Sequence, residues 1–291
     1  MNDETVADCR VIDGAMTNAA VTNGAGVNGA VTRDTAPVLV LRDGAVATLL
    51  LNRPKAMNAL DLATAQAFLA ACQTLAADTS VRAVLLRGAG RSFGVGGDLA
   101  AMREDPTAVA QGLIEHMHAA VLLLAAMDAP VIACVHGAVA GGTMSLALAC
   151  DLALAADNTV FNLAYARIGT SNDLSSSWHL PRLVGLRNAM HIALLSDNID
   201  ATEALRLGLV NRVLPLAQLE AECMALAQRL AAGPTLAYGR MKRLLRQSLN
   251  HTLPQQLDAE QEAFLASTRT QDFNEGLAAF FGKRPAAFQG R

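Results

Sequence analysis

Aromatic residues are scarce in this chain of 291 residues, in which Trp, Tyr and Phe together make up only 4%. Hydrophobic residues nevertheless reach 52%, so the predicted core is built from closely packed Ala, Leu and Val side chains rather than from rings. The formal net charge is −3, and the sequence contains no basic block. This lack of clustered positive charge argues against a nucleic-acid-binding protein. The length allows one large domain or two small ones, with a substantial core.

Cysteine patterns that would build a disulfide framework are also missing. The five cysteines are scattered, their number is odd, and no C-x-x-C pair occurs. We therefore predict reduced thiols and no metal site, as in a cytoplasmic protein. A signal peptide is not expected either, because Asp3, Glu4 and Asp8 stand where a basic segment should be and no apolar segment follows.

The chain divides by composition into three parts. Residues 1–36 consist mainly of Ala, Val, Thr, Asn and Gly without a sustained hydrophobic period, and we predict that they form a disordered N-terminal extension. Residues 37–214 contain the predicted strands and the glycine-rich motifs of the core, and Pro215 follows at the predicted boundary. Residues 215–291 have the apolar spacing of a helical C-terminal region.

The most informative stretch is VIACVHGAVAGGTMSLALACD, which begins at Val131. Val131–Val135 predicts a buried strand, residues 136–142 a turn of small residues, and the apolar residues from Thr143 a helix that is buried all round. The lack of charge in residues 129–150 suits a membrane span, but a proline, a histidine and three glycines interrupt them, so we predict a buried strand–turn–helix. A Gly-Gly pair at such a turn lets the backbone approach a ligand, and the first amides of a helix can hold negative charge.

A lone Gly-Gly pair is more simply explained by tight packing. The chain has a second pair, however, in the segment SFGVGGDL at residues 92–99, which follows a predicted strand at residues 81–86. The order strand, strand, helix recurs three times, with main strands that begin near Val46, Val81 and Val131. This recurrence predicts an α/β fold wound as a right-handed superhelix.

Two segments, RGAGRSFGVGGDLAAM and VHGAVAGGTMSLALACD, resemble the signature regions of the crotonase, or enoyl-CoA hydratase/isomerase, superfamily. The resemblance extends from about Val38 to Gln289. It implies a crotonase-type right-handed ββα superhelix with a C-terminal helical region that forms a homotrimer, often paired into a hexamer. It also implies an acyl-CoA thioester substrate, in which coenzyme A is part of the substrate and no separate cofactor is needed. The amides of Gly97 and Gly142 are expected to bind the thioester oxygen.

The residues that could move protons differ from those of the two-glutamate hydratases. Where those hydratases have their glutamates, this chain has Ser145 and Tyr165, and neither group activates water or protonates carbon well. The segment AYARIGTSNDLSSSWHLPRLVG resembles a crotonase subgroup with an Asp at the position of Asp173. In its enoyl-CoA isomerases that carboxylate shuttles a proton between carbons, and in its aromatic-acyl-CoA dehalogenases it attacks the ring. The alternative is that Asp173 caps a helix that begins near Ser175.

His118 and Tyr165 are further candidates from the same resemblance. The distance of His118 before Pro130 matches the place of the catalytic histidine in the dehalogenases, and Tyr165 stands where they have a tryptophan against the substrate ring. The alternative for His118 is a hydrogen-bonded histidine of the core or its edge, because Ile114 and Val121 flank it at helical spacing.

Binding of coenzyme A is expected to combine charges for the phosphates with a backbone pocket for adenine. Arg53, Lys55 and Lys283 are the candidates for the phosphates, and Lys283 is expected to reach a neighbouring subunit. Each of these charges is equally well explained as an ordinary solvated group. The family resemblance places the adenine pocket along the backbone of two segments, which include Ala56, Asn58, Asp98 and Leu99.

The resulting expectation is an oligomeric, cytoplasmic acyl-CoA enzyme without nucleic-acid or membrane partners. The preferred reaction is a proton shift by Asp173 while Gly97 and Gly142 hold the enolate oxygen. Hydration of an enoyl-CoA by Asp173 with a second, unidentified group comes next, followed by dehalogenation or hydrolysis of an aryl-CoA by Asp173 and His118. A rival of another class is a non-catalytic scaffold that binds CoA esters or a protein or RNA partner.

Overall fold

The apolar runs of the sequence form the centre of a mixed sheet in the computed structural model, which describes residues 35–291. The predicted disorder of residues 1–36 lies outside the described residues, apart from Thr35 and Ala36. The strands of the described part are β1 (Val38–Asp43), β2 (Val46–Leu51), β3 (Ala83–Gly88), β4 (Val131–Val135), β5 (Ala138–Ala140), β6 (Leu152–Ala156), β7 (Val160–Asn162), β8 (Ile199–Asp200) and β9 (Arg212–Leu214).

Helices connect these strands and form the C-terminal part of the chain. They are α1 (Leu62–Ala77), α2 (Pro106–Ala126), α3 (Gly141–Leu148), α4 (Ser176–Leu195), α5 (Ala201–Leu207), α6 (Leu216–Ala231), α7 (Thr235–Gln247), α8 (Leu253–Thr268) and α9 (Gln271–Phe281). Single 3₁₀ turns at Pro54–Ala56 and Tyr165–Ile168 lie in the loops.

The main sheet has six strands in the order β1-β2-β3-β4-β6-β9. The hairpin of β1 and β2 is antiparallel, and every later pairing in this sheet is parallel. A second sheet has the order β5-β7-β8. Parallel neighbours need crossover connections, and the helices after β2, β3 and β4 supply them, which agrees with the predicted recurrence of strands and helices.

The central strands are apolar throughout because both faces of the sheet are covered. Alternate residues of one strand enter different clusters: Val84 and Leu86 pack with the residues of α1 and α2, whereas Ala83 and Leu85 pack with those of α6. This alternation is the period of two that strands impose. Helix α6, which begins directly after the predicted boundary at residue 214, therefore covers one face of the sheet. The division of the chain at residues 36 and 214 stays a prediction.

Aspartate side chains cap the first turns of helices α1 and α2. The carboxylate of Asp61 accepts a hydrogen bond from the Thr64 amide at 2.8 Å and caps α1. Asp105 caps α2 in the same way through the Ala108 amide. Helix α2 is long and apolar enough by length and composition to cross a membrane, but it packs against α1 and buries Leu113 and Met117 in the core.

Three elements differ from the prediction. Helix α3 begins at Gly141 rather than Thr143, and the short strand β5 lies inside the predicted turn. Helix α9 was not predicted. Helix α4, by contrast, begins at Ser176, close to the start near Ser175 considered above, and Gly185, with φ +75°, makes a kink inside it. The α/β class and the helical C-terminal region agree with the prediction.

Candidate active site

The two glycine-rich turns lie side by side. Gly94 forms a parallel bridge with Val139, in which the Gly94 amide donates to Ala138 and the Ala140 amide donates back to Gly94. Gly96 also lies against the second glycine turn. A Cβ on Gly96 would lie only 3.2 Å from the Gly142 nitrogen. Gly96 also has φ +90°, so both space and conformation require glycine there.

The amides of Gly97 and Gly142 are left without a protein partner in the described part of the chain. Leu60 pairs with the residues on either side of Gly97, so the Gly97 amide itself faces away from Leu60. Gly142 is the second residue of α3, where no intrahelical acceptor exists for an amide. Two donors are thus available at the position that the sequence predicted for an oxyanion hole.

Both glycines open into a cavity of about 760 Å³. Its walls come from the loop after β3, one face of α2, and residues 164–174 before α4. Most of the lining is apolar, with side chains such as Met102, Ile114 and Leu174, while Tyr165 and Asp173 add polar groups close to the glycines. A largely apolar cavity with a few convergent polar groups is typical of a small-molecule site.

Asp173 directs its carboxylate towards His118. The distance from Asp173 Oδ1 to His118 Nε2 is 2.7 Å, and the side chains are 31% and 48% exposed. The capping alternative for Asp173 is not observed: the N-cap of α4 is Ser175, and only the backbone carbonyl of Asp173 accepts from Ser176. A half-exposed His118 is not a core histidine, but its hydrogen bond with Asp173 fits the alternative of a hydrogen-bonded histidine at the edge of the core. The structure therefore brings these two predicted residues together.

Ser145 and Tyr165, at the positions of the hydratase glutamates, contact each other. The distance from Ser145 Oγ to Tyr165 Oη is 3.0 Å. Burial raises the pKa of Tyr165 to about 12, although the hydrogen bond with Ser145 acts in the opposite direction. The pair is therefore neutral over the physiological range. We did not predict this contact. The signal for it was that both residues stand where the two-glutamate hydratases have their paired glutamates.

The residues predicted to bind coenzyme A have mixed surroundings. Arg53 is engaged within the protein, where its guanidinium lies 3.0 Å from Asp61 and 3.2 Å from Asp98. Lys55 is exposed beside it on the 3₁₀ turn, and Ala56 follows in the same turn. These placements leave the lysine as the accessible cation of this turn.

Asn58, Leu99 and Lys283 lie in three different environments. Asn58 is buried, and its carboxamide donates to the carbonyls of Ala89, Ser92 and Phe93, which ties the turn after β2 to the first glycine loop. Leu99 lines the cavity and is 52% exposed. Lys283 is exposed after α9 and does not line the cavity within this chain. The described residues contain no cluster of three His, Cys, Asp or Glu side chains that could hold a metal ion.

Known proteins resemble this chain over most of its length. The profile of the family described as enoyl-CoA hydratase/isomerase matches residues 42–291. A 1,2-epoxyphenylacetyl-CoA isomerase of Escherichia coli (strain K12) is 36% identical over 84% of this chain and 95% of its own. A 4-chlorobenzoyl coenzyme A dehalogenase-2 of Arthrobacter sp is 35% identical over 82% of this chain and 88% of its own. The crystal structure of an enoyl-CoA hydratase from Polaromonas sp. JS666 has a TM-score of 0.81 at 34% identity and covers 87% of this chain and 99% of its own.

The matched residues 42–291 include the glycine turns, the cavity walls and the C-terminal helices of this chain. They confirm the crotonase-type fold that the two glycine motifs predicted. The named reactions of the relatives differ, whereas all of those named act on CoA thioesters. The chain belongs to the enoyl-CoA hydratase/isomerase family and is an acyl-CoA enzyme of that family.

Proposed function

We propose that this protein shifts the double bond of an enoyl-CoA thioester, with Asp173 as the only side chain that exchanges protons with the substrate. The observation that carries this proposal is the position of Asp173 in the same cavity as the two unpartnered amides of Gly97 and Gly142. A carboxylate near an oxyanion site is the minimum that an enolate reaction requires.

The proposed reaction begins when the thioester oxygen accepts hydrogen bonds from Gly97 and Gly142. These bonds stabilise negative charge on that oxygen as Asp173 removes a proton from the carbon next to the carbonyl. The electron pair of the broken C–H bond enters the enolate, which extends over the neighbouring double bond. The protonated Asp173 exchanges its proton with solvent and donates a proton to the far carbon, the double bond moves, and the carboxylate is regenerated.

His118 fits this reaction as the group that orients the base. An ionised carboxylate can only accept hydrogen bonds, so His118 donates to Oδ1 through Nε2. The second oxygen of Asp173 stays available for the substrate proton. Hydration is less well supported, because it needs a second group to activate water and the Ser145–Tyr165 pair is neutral.

A second candidate function, dehalogenation or hydrolysis of an aryl-CoA, is favoured by the same short contact. In that reaction Asp173 would attack the halogen-bearing carbon of the ring and displace halide, and His118 would take the proton of the water that hydrolyses the aryl-enzyme ester and regenerates the carboxylate. The 4-chlorobenzoyl coenzyme A dehalogenase-2 is 35% identical to this chain, and the 1,2-epoxyphenylacetyl-CoA isomerase is 36% identical. The geometry of His118 and Asp173 suits both reactions, so an experiment must separate them.

The test is turnover of a panel of 2-enoyl-, 3-enoyl- and 4-chlorobenzoyl-CoA by the purified protein in D₂O. The proposal expects interconversion of 3-enoyl and 2-enoyl thioesters with deuterium entering the acyl chain from solvent. Release of chloride from the aryl thioester with no interconversion of the enoyl thioesters would favour the second function. Binding without turnover of any member would favour the non-catalytic scaffold.

We also propose the remaining features of the family resemblance for this chain. Lys55 and Lys283 are the accessible cations for the CoA phosphates, with Lys283 acting from a neighbouring subunit of a homotrimer or hexamer. Exposed apolar side chains on the C-terminal helices support such an assembly, and they include Met241, Leu245, Phe264, Phe280 and Phe281. A cytoplasmic location, the absence of nucleic-acid and membrane partners, and the lack of a separate cofactor are parts of the same proposal.

A further inference from the structure

Ser145 stands between two groups and forms a hydrogen bond with each. Its Oγ lies 3.3 Å from the carbonyl oxygen of Gly141 and 3.0 Å from the hydroxyl of Tyr165. A carbonyl oxygen can only accept, so the Ser145 hydroxyl donates to Gly141. Its single proton is then used, and the Ser145 oxygen accepts from Tyr165. The hydrogen bonds therefore run in one direction, from Tyr165 through Ser145 to Gly141.

The last acceptor of this series belongs to the peptide group that carries the Gly142 amide. The Gly141 carbonyl and the Gly142 N–H share one conjugated C–N bond, so a hydrogen bond accepted by the oxygen makes the N–H more polar. Ser145 is fully buried, so its hydroxyl makes these contacts away from bulk water. The Tyr165 hydroxyl also lies close to Gly142, since an added Cβ there would be 3.8 Å from Tyr165 Oη.

We propose that Tyr165 and Ser145 are positioning residues that strengthen the Gly142 amide as a donor to the thioester oxygen. This inference rests on the proposed function of that amide. In the place of two ionisable glutamates, the chain uses a neutral hydrogen-bond series that acts on the oxyanion site instead of on the acyl chain. Burial raises the pKa of the Tyr165 hydroxyl to about 12, so this hydroxyl keeps the proton that it donates to Ser145.

The size of the effect follows from two magnitudes. Loss of a whole oxyanion donor lowers the rate by about 10²- to 10³-fold. Hydrogen-bond series strengthen each member by about 10–30%. If the Gly142 donor is strengthened by about 10–30% of the free energy that corresponds to 10²- to 10³-fold, kcat changes about two- to eight-fold. A serine that only satisfies its own hydroxyl within a helix would give no such change at the substrate carbonyl.

The test uses butyryl-CoA with a ¹³C-labelled thioester carbonyl, whose bound carbonyl band is measured by isotope-edited infrared spectroscopy. In the wild-type protein the band should lie below that of free butyryl-CoA. Ser145→Ala and Tyr165→Phe should each move it part of the way back and lower kcat for a 3-enoyl-CoA about two- to eight-fold, with little change in KM. Because the series is linear, the double variant should match Ser145→Ala alone.

Ser267→Ala is the matched control, because the Ser267 hydroxyl also donates to a carbonyl four residues earlier in a helix, at 2.8 Å, but far from the cavity. It should leave the band in place. An unchanged band in Ser145→Ala and Tyr165→Phe, or a wild-type band equal to that of free butyryl-CoA, would overturn the inference. Asp173→Asn reports separately on the proposed function: full turnover in that variant refutes the proton shift, while the band positions still decide the inference about Gly142.

Discussion

His118 Nε2 and Asp173 Oδ1 lie 2.7 Å apart although 55 positions separate them in the chain. One residue projects from α2 and the other from the loop before α4, and both remain partly exposed beside the cavity. The hydrogen bond engages one carboxylate oxygen of Asp173. Under the proposed proton shift, the other oxygen takes the proton from carbon in one defined direction.

Replacement of Asp173 by Asn should remove activity and preserve the fold. The two side chains have nearly the same shape, but an amide neither takes up a proton from carbon nor attacks as a carboxylate. We expect kcat for a 3-enoyl-CoA to fall by about 10²- to 10⁴-fold, the usual contribution of a positioned acid–base group. Butyryl-CoA binding and the circular dichroism spectrum should stay close to wild type. Retained turnover would exclude Asp173 as the base.

Replacement of His118 by Gln should separate the two candidate reactions. The Gln amide can still donate to Asp173, so the isomerase should keep much of its rate, and intact-protein mass spectrometry should show no covalent product with an enoyl-CoA. The dehalogenase would need this histidine to hydrolyse its ester. Accumulation of an aryl adduct on Asp173 after incubation with 4-chlorobenzoyl-CoA would therefore replace the isomerase proposal with the second function.

Two substitutions of Gly142 should distinguish its amide from its lack of a side chain. Gly142→Ala keeps the amide but places a Cβ 2.9 Å from Leu174 Cδ1, so it measures crowding alone. Gly142→Pro also adds a Cβ, closes its ring on the amide nitrogen and removes the donor. The proline variant should therefore lose about a further 10²- to 10³-fold in kcat relative to the alanine variant. Equal rates in two folded variants would show that this amide does not act on the substrate.

His179 should make the protein less stable in acid. Burial, reinforced by Arg246, lowers the pKa of His179 to about 4, and its Nε2 is buried without a hydrogen-bond partner in the described part of the chain. Between pH 6.5 and about 4 the unfolded chain binds a proton that the folded state does not, so stability falls as pH decreases through this window. Across this window the free energy of unfolding falls by about 3 kcal/mol through His179.

The measurement for His179 is the free energy of unfolding in urea at pH 7 and at pH 4.5. His179→Gln should lose less stability between these two values than the wild type does. His191→Gln is the matched control, since His191 is an exposed histidine of the same helix and should leave the wild-type pH dependence intact. An identical pH dependence in wild type and His179→Gln would contradict the assignment.

A shortened chain that begins at Ala36 should keep its oligomeric state and melting temperature. The composition of residues 1–36 offers no apolar stripe for a core, and the first strand begins at Val38. Size-exclusion chromatography with light scattering and a thermal melt provide the comparison. A decrease of more than a few degrees would show that the N-terminal residues contribute to packing.

Much of the architecture was accessible from local patterns. Strand β4 has the predicted bounds, and β2 begins at Val46, where the recurrence of strands placed its start. These features depend on residues that are close in sequence, where spacing and capping preferences act. The bounds of helix α9 within the predicted helical region were not predicted, because exposed apolar residues such as Phe280 and Phe281 obscure where its helical stripe begins and ends.

In the functional site, too, the local features were predicted and the contacts between distant segments were not. The resemblance of the two glycine motifs to the signature regions of the family was sufficient to predict the family and to single out the two amides, and the recurrence of strands and helices predicted the α/β class. Such motifs are local because the backbone at a strand-to-helix turn needs glycine whatever surrounds it. The partners of the side chains were decided only by packing. The contact of His118 with Asp173 and that of Ser145 with Tyr165 each join distant segments, and such contacts depend on how helices and loops meet in three dimensions.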